Sequence, residues 1–326
     1  MNILCYCEAN KKTGLGHFSR IKILIKLLKK KNPNTIFYIF SKNLKLAKKY
    51  FYNYKIINTK KNLLTHLTYY NNFYNLVILD PPYYEKGKHT KEENLKDIYF
   101  IKNKNFQILK LTDETAPSKH YCDYLINDYP LSVNFKKKYK QINNKIKLFL
   151  GIYAFLYPIQ KIKKFLDLKK KYDILIVFGG SDPKNLLIRY FKVFKNIKKK
   201  KIFILNKKAL LMLKKFEDSY NTLKPLMSQN LFIKTLSTSK NYVSTPSNIM
   251  FEAFSLNING TVIPTQNRQK NMGKSFEKLK IAKCLPIYTK LKDQILRNSL
   301  KKKIKIQTKF NIKKAIGMQN KIGSIL

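Results

Sequence analysis

The chain has 326 residues, of which 67 are lysine or arginine and only 18 aspartate or glutamate, giving a formal net charge of +49 on a chain that is 44% hydrophobic. That apolar share excludes a disordered chain, and the length exceeds the roughly 250 to 300 residues at which a single core stops growing, so two domains are expected. No uncharged apolar run is long enough to span a bilayer, and the basic residues are lysines spread over the whole length among Asn, Ile and Tyr, without zinc-finger, helix-turn-helix or RNP-like signatures. A dedicated nucleic-acid partner is therefore not expected, while the basic surface leaves weak attraction to anionic membrane surfaces open.

The chain opens directly into an apolar strand with no charged leader, which points to a cytoplasmic protein. Cys5, Cys7, Cys122 and Cys284 have neither metal-binding spacing nor disulfide density and read as small buried hydrophobes in a reducing compartment.

Ile3 to Cys7 reads as a strand, and the apolar stripe from Phe18 through about Lys30 as a helix. Between them lies Thr13-Gly14-Leu15-Gly16-His17-Phe18-Ser19-Arg20. Strand, glycine turn and helix make a binding crevice at the carboxyl edge of an open α/β sheet, where Gly14 and Gly16 let the backbone approach a ligand. His17 is the group there that can move a proton near neutral pH; the alternative is a tight turn with a polar cap. Further strands are expected at Thr35 to Phe40, Tyr54 to Ile57, Asn75 to Leu79, Phe106 to Leu111, Tyr124 to Ile126 and Lys147 to Leu150. Asp80 closes the run Asn75 to Leu79, either presented beside the glycine turn or capping the next one. Asp113 and Glu114 follow the run Phe106 to Leu111 and read as turn formers rather than metal ligands. Tyr153 to Pro158 looks like a linker.

The same grammar restarts at Tyr172 to Phe178, a buried strand that runs into Gly179-Gly180-Ser181-Asp182-Pro183. This turn is a candidate anion cradle, with Ser181 or Asp182 able to cap the following helix. Strands are expected at Lys201 to Leu205, Leu231 to Ile233 and Gly260 to Ile263. Helices are expected around Lys208 to Phe216, Ile249 to Phe254, Asn271 to Lys280 and Lys290 to Leu300, with a polar loop at Pro264 to Gln269 and a last helix with a frayed tail beyond Lys301. Two α/β domains facing each other across the site follow, divided as 1–157 and 158–326. Ser19 occupies the third glycine position of a dinucleotide fingerprint, and no Gly-Lys-Ser/Thr or Gly-x-Ser-x-Gly is present, which discounts an oxidoreductase, an ATPase and a serine hydrolase.

Gly14 to Arg20, the strand ending at Asp80, Asp113-Glu114, Cys122 to Asp128, Gly151 to Leu156 and Gly179 to Leu186, in this order and spacing, resemble the nucleotide-sugar hydrolases of pseudaminic-acid biosynthesis. That family is related to spore-coat-polysaccharide proteins and, more distantly, to the GT-B glycosyltransferases that include the lipid II N-acetylglucosaminyltransferase. The resemblance implies a GT-B-like fold of two Rossmann-like domains, with a UDP-linked amino sugar as partner, no cofactor and no metal. It assigns His17 as the base that activates water at the anomeric carbon, releasing UDP and a free 2,4-diacetamido-2,4,6-trideoxyhexose. A diphosphate is already a good leaving group, so one base and an anion site suffice. Arg20 either orients the substrate or serves as a structural ion-pair partner.

In the second domain the resemblance implies nucleotide contacts from Gly179, Gly180, Ser181, Asn248, Glu252 and Gln269, with Glu252 at the ribose, while Arg268 either neutralises the phosphates or is merely an exposed charge. The chain departs from the family pattern at Ser247 and Asn248, which replace small or glycine residues, at Pro246, which lacks an N–H, and at Arg268, which stands where asparagine is usual. The alternatives are a UDP-sugar-dependent glycosyltransferase and a UDP-sugar-binding protein without turnover.

Overall fold

The structure is a computed structural model of the chain and describes residues 1–8, 16–58, 62–80, 98, 101, 105–178, 182, 184–301 and 308–325. It divides into two compact units, Met1–Leu156 with Lys314–Leu326 and Tyr157–Lys313.

The first unit alternates strand and helix through β1 (Asn2–Cys7), α1 (Gly16–Lys31), β2 (Ile36–Phe40), α2 (Leu44–Tyr50), β3 (Lys55–Ile56), α3 (Leu63–Tyr69) and β4 (Leu76–Asp80). It continues with β5 (Gln107–Thr112), β6 (Tyr124–Asn127), α4 (Lys136–Ile142) and β7 (Lys147–Leu150). Among the described residues these form a parallel sheet in the order β3-β2-β1-β4-β5-β6-β7. Because the order reverses between β1 and β4, the crevice of a doubly wound sheet opens at the carboxyl ends of those two strands. α1 covers one face with Phe18, Ile21, Leu24, Ile25 and Leu28, a helical stripe that packs on Ile3, Cys5 and Ile78, and its last turn carries Lys29, Lys30 and Lys31 where the helix dipole favours cations. The other face is filled by Leu4, Tyr6, Val77, Leu79, Ile108 and Leu125. Strands buried on both sides read as continuous apolar runs, which is why β1 and β4 stand out in the sequence.

The second unit repeats this plan. After α5 (Ile159–Phe165) come β8 (Tyr172–Ile176), α6 (Leu186–Lys195), β9 (Lys201–Leu205), α7 (Lys207–Leu213), β10 (Asn221–Pro225), α8 (Gln229–Ser237), β11 (Ser239–Ser244) and α9 (Asn248–Ser255). β12 (Asn259–Val262), α10 (Asn267–Lys278), β13 (Ala282–Cys284) and α11 (Asp293–Lys301) complete it, with sheet order β10-β9-β8-β11-β12-β13. Here the order reverses between β8 and β11. Gly260 pairs with Tyr242 across β12 and β11, and a Cβ on Gly260 would lie 2.0 Å from the Tyr242 ring, so only glycine lets that buried ring lie flat on the neighbouring strand.

The last helix, α12 (Ile312–Gly323), buries Ala315, Gln319, Ile322 and Gly323 along one face, and Ile322 and Ile325 join Leu24 and Leu28 in the first core. The division drawn from the sequence runs the second domain to residue 326; the tail from Lys314 instead belongs to the first unit. An apolar stripe announces a helix but not which of two cores it will cover.

Two local expectations are overturned and one is kept. Leu231 to Ile233, expected as a strand, lies inside α8, because Ser228 accepts a hydrogen bond from Leu231 N and starts a helix whose buried face is Ile233, Leu236 and Ser237. Tyr153 to Pro158, read as a linker, carries the boundary between the two units at Leu156 and Tyr157; Ile152–Ala154 form a 3₁₀ turn there, and Phe155, Leu156 and Tyr157 are buried. The polar loop at Pro264 to Gln269 ends early, since α10 already begins at Asn267.

Candidate functional site

In the first unit the site is assembled at the β1–β4 switch point. Cys7 and Asp80 are register partners at the carboxyl ends of the two strands, which brings Asp80 alongside the turn that leads into α1. Gly16 is the first residue of α1, His17 the second, and Arg20 lies one turn further along the same face. Gly14 lies outside the described residues.

His17 Nδ1 is 2.8 Å from Asp80 Oδ1, and Arg20 reaches the same carboxylate through Nη2 to Oδ1 at 2.5 Å and Nε to Oδ2 at 3.3 Å. An ionised carboxylate only accepts, so Nδ1 carries the proton it donates and the neutral ring has its lone pair on Nε2. Arg20 Nη2 also stands 3.2 Å from Nδ1, a contact between two hydrogen-bearing nitrogens that Asp80 bridges. Burial alone would raise the Asp80 pKa, but Arg20 and His17 outweigh it and hold the carboxyl below the usual carboxylate range.

These positions bear on the alternatives that the sequence leaves open for Asp80 and Arg20. Asp80 is 0% exposed and meets His17 through Oδ1 and Arg20 through both oxygens. Arg20 is buried and reaches a second carboxylate, Asp128, through Nη1 to Oδ2 at 3.4 Å; of its two sequence readings the geometry matches the ion pair. Burial opposes the Arg20 charge, yet Asp80, Asp128 and Asp113 together hold its pKa above the ordinary value. His17 keeps 15% of its side chain exposed.

Asp128 is the residue that sequence reasoning leaves out of the site. It follows β6, its amide donates to Thr112 O at 3.2 Å, and its Oδ1 is buried without a hydrogen-bond partner. Burial, with Asp113 and Asp80 adding to it against Arg20, lifts its pKa from 3.8 to about 7. The signal was available: an acid one residue beyond each of β5 and β6 places both at the edge where β4 ends in Asp80. Asp113 and Glu114 part company, since Asp113 acts on Arg20 and Asp128 while Glu114 turns to His120.

In the second unit Gly179, Gly180 and Ser181 lie outside the described residues. Asp182, at positive φ, closes the turn with Oδ1 accepting from Leu186 N at 2.9 Å and Oδ2 from Leu187 N at 3.0 Å. The first turn of α6 is thus already occupied by the protein's own carboxylate. α7 and α8 are likewise capped by the side chains of Asn206 and Ser228. α9 and α10, which start beyond the adjoining strands β11 and β12, have no side-chain cap. Asn248 opens α9 and Glu252 lies one turn on, buried, with Gln229 Nε2 donating to its Oε1 at 3.2 Å. Burial lifts Glu252 to a pKa of about 7 against the pull of Gln229 and Lys161. Arg268 and Gln269 sit in the first turn of α10, where Gln269 Oε1 accepts from Thr265 N and Oγ1, each at 2.8 Å, and is used within its own turn.

No protein-family model and no curated protein matches the chain. Solved structures match nearly its whole length. MurG from Acinetobacter baumannii aligns at a TM-score of 0.62 and 12% identity, over 99% of this chain and 95% of that one. The UDP-GlcNAc 2-epimerase from Methanocaldococcus jannaschii aligns at 0.62 and 12%, over 100% and 98%. UGT89C1 from Arabidopsis thaliana, solved with UDP-L-rhamnose, aligns at 0.63 and 9%, over 98% and 94%. With two doubly wound parallel sheets, this likeness establishes an α/β, GT-B-like two-domain fold.

Proposed function

We propose that this protein hydrolyses a UDP-linked 2,4-diacetamido-2,4,6-trideoxy sugar at its anomeric carbon, in the synthesis of a cell-surface nonulosonate or related glycan. The observation that carries the reading is the His17–Asp80 pair: a half-buried imidazole with its Nδ1 proton held by an ionised carboxylate, leaving Nε2 as a base. Water gives a proton to Nε2 as its oxygen bonds to the anomeric carbon. The bond from that carbon to the β-phosphate oxygen breaks, and UDP departs with the electron pair. Asp80 stabilises the imidazolium, and Arg20 fixes Asp80 in its ionised form.

On the nucleotide side we assign the diphosphate to the first turn of α9, whose amides no side chain caps, in preference to α6, where the Asp182 carboxylate would repel it. Asn248 lies at that turn, and Glu252 meets the ribose hydroxyls. The Gly179-Gly180-Ser181 motif is a further candidate anion contact from its sequence, and Arg268 on α10 adds positive charge. Fold likeness to UDP-sugar transferases and an epimerase supports a nucleotide-sugar ligand without choosing the reaction.

The test is UDP release in buffer from a panel of UDP-linked diacetamido and N-acetyl sugars, for the wild type and His17→Asn. Acceptor-free release that His17→Asn lowers by about 10³-fold or more is expected. Full turnover in His17→Asn would refute the assignment of the base, and release only in the presence of an acceptor would make the chain a transferase using the same base.

A further inference from the structure

Directly behind the acids of the first unit lies a buried ionic chain that neither the sequence reading nor the proposed chemistry uses. Lys110, on β5, places Nζ 2.9 Å from His120 Nδ1, and His120 Nε2 is 2.8 Å from Glu114 Oε2. Both Lys110 and His120 are buried. Lysine only donates, so Nδ1 is the acceptor, and the ring's proton sits on Nε2, which donates to Glu114. Ser118 Oγ lies 2.9 Å from each Glu114 oxygen, and the His120 ring packs against Tyr139 of α4 at 5.6 Å between centroids. A lysine costs free energy when taken out of water and is rare in a strand buried on both faces.

The chain is joined to the site by covalent neighbours and one amide. Glu114 follows Asp113, and its carbonyl accepts from Asn127 Nδ2 at 3.3 Å. Asn127 precedes Asp128; its Nδ2 also donates to Tyr139 Oη at 3.0 Å, and its Oδ1 accepts from Tyr129 N at 3.0 Å. Asp113 and Asp128, the two acids that share Arg20 with Asp80, therefore each stand one residue from this network.

We propose that Lys110, His120 and Glu114 are positioning residues for the reaction: they lock the 113–121 segment against Asn127 and so hold Asp113 and Asp128 at the distance from Arg20 that keeps Asp80 aimed at His17. The proposal rests on the reading of His17 as the base. None of the three touches substrate; they act through Asn127 and the two acids. The lock is also acid-sensitive in a defined way. The titratable groups around His120 are Lys110 on β5, Glu114 on its own segment, Tyr139 on α4 and Cys122 at the start of the approach to β6. Burial, with Lys110 adding to it against Glu114, pushes the His120 pKa below the usual histidine value. At neutral pH the ring is neutral and accepts from Lys110. A second proton, bound at lower pH, turns Nδ1 into a donor facing an ammonium group and opens the chain.

The experiment measures kcat and KM for UDP release from pH 5 to 9 in the wild type, Lys110→Met and His120→Gln. Glutamine keeps an acceptor for Lys110 and a donor for Glu114 but does not titrate. Lys110→Met is expected to lose about 10²-fold in kcat with KM within about threefold, as a small misplacement of the base does. His120→Gln is expected to keep the neutral-pH kcat. On the acid side, log kcat/KM of the wild type should fall more steeply than that of His120→Gln. Hydrogen exchange at the β1 and β4 amides checks that the first unit of Lys110→Met is folded. Wild-type kcat in Lys110→Met, equal loss in kcat and folded fraction, or an unchanged acid slope in His120→Gln would overturn the proposal alone. Absence of UDP release by the wild type would instead overturn the function on which it rests.

Discussion

Replacing Asp128 with asparagine should stabilise the protein at neutral pH, an unusual outcome for a buried acid that faces an arginine. Arg20 is shared among Asp80, Asp128 and Asp113, and Asp80 has the shorter contacts, so one positive group cannot keep three carboxylates ionised. The consequence is the Asp128 pKa of about 7, against 3.8 for an ordinary aspartate. In the unfolded chain the group ionises near its ordinary value, whereas the folded protein holds the proton until about pH 7. Its contribution to stability is therefore complete below the unfolded value and is lost as pH rises through the folded one. At about 1.4 kcal/mol per pH unit, the loss accumulates to about 4 kcal/mol above neutrality. The amide introduced by Asp128→Asn is uncharged throughout and keeps an oxygen for Arg20. Asp80 is present in both proteins, and its depressed pKa makes its stabilisation fade as pH falls, opposite in sign to the Asp128 effect. Urea unfolding followed by circular dichroism from pH 4 to 8, with hydrogen exchange at the amides of residue 128 and Gly151 as a local check, should show Asp128→Asn drawing ahead of the wild type only as pH rises. A stability difference that is flat over this range would refute the reasoning.

Asp80→Asn should lower kcat for UDP release by roughly 10³- to 10⁴-fold, because an amide no longer fixes the Nδ1–H tautomer, and should cost about 3 to 5 kcal/mol by leaving Arg20 short of its closest partner. Steady-state kinetics and denaturant unfolding of the same variant check both, and wild-type kcat would remove Asp80 from the site. Gly260→Ala should destabilise the second unit by about 1 to 3 kcal/mol or more, since its Cβ would lie 2.0 Å from the fully buried Tyr242 ring; equal thermal stability of the two proteins would mean the ring moves freely.

Much of the site was legible because it is written in local order. The strand before Gly14, His17 and Arg20 spaced along one helix turn, and an acid closing the apolar run Leu76–Asp80 each depend on neighbours in the chain, and the pairing of β1 with β4 brings them together. The same holds for Asp182, whose place before a helix announces a cap. Polar strands escaped notice: β10, Asn221–Pro225, is an edge strand ending in proline, and β13 is only three residues long, so neither carries an apolar run.

What the sequence by itself determined is the α/β alternation, its restart at Tyr172, and the chemistry available at each strand end, because periodicity, glycine turns and helix caps are properties of adjacent residues. Tertiary structure alone decided that α12 covers the first core, that Asp80 and Arg20 pair with each other, and that the Asp128 pKa rises to about 7. Those outcomes depend on which charges are buried side by side, and burial is created by distant segments whose meeting no local pattern encodes.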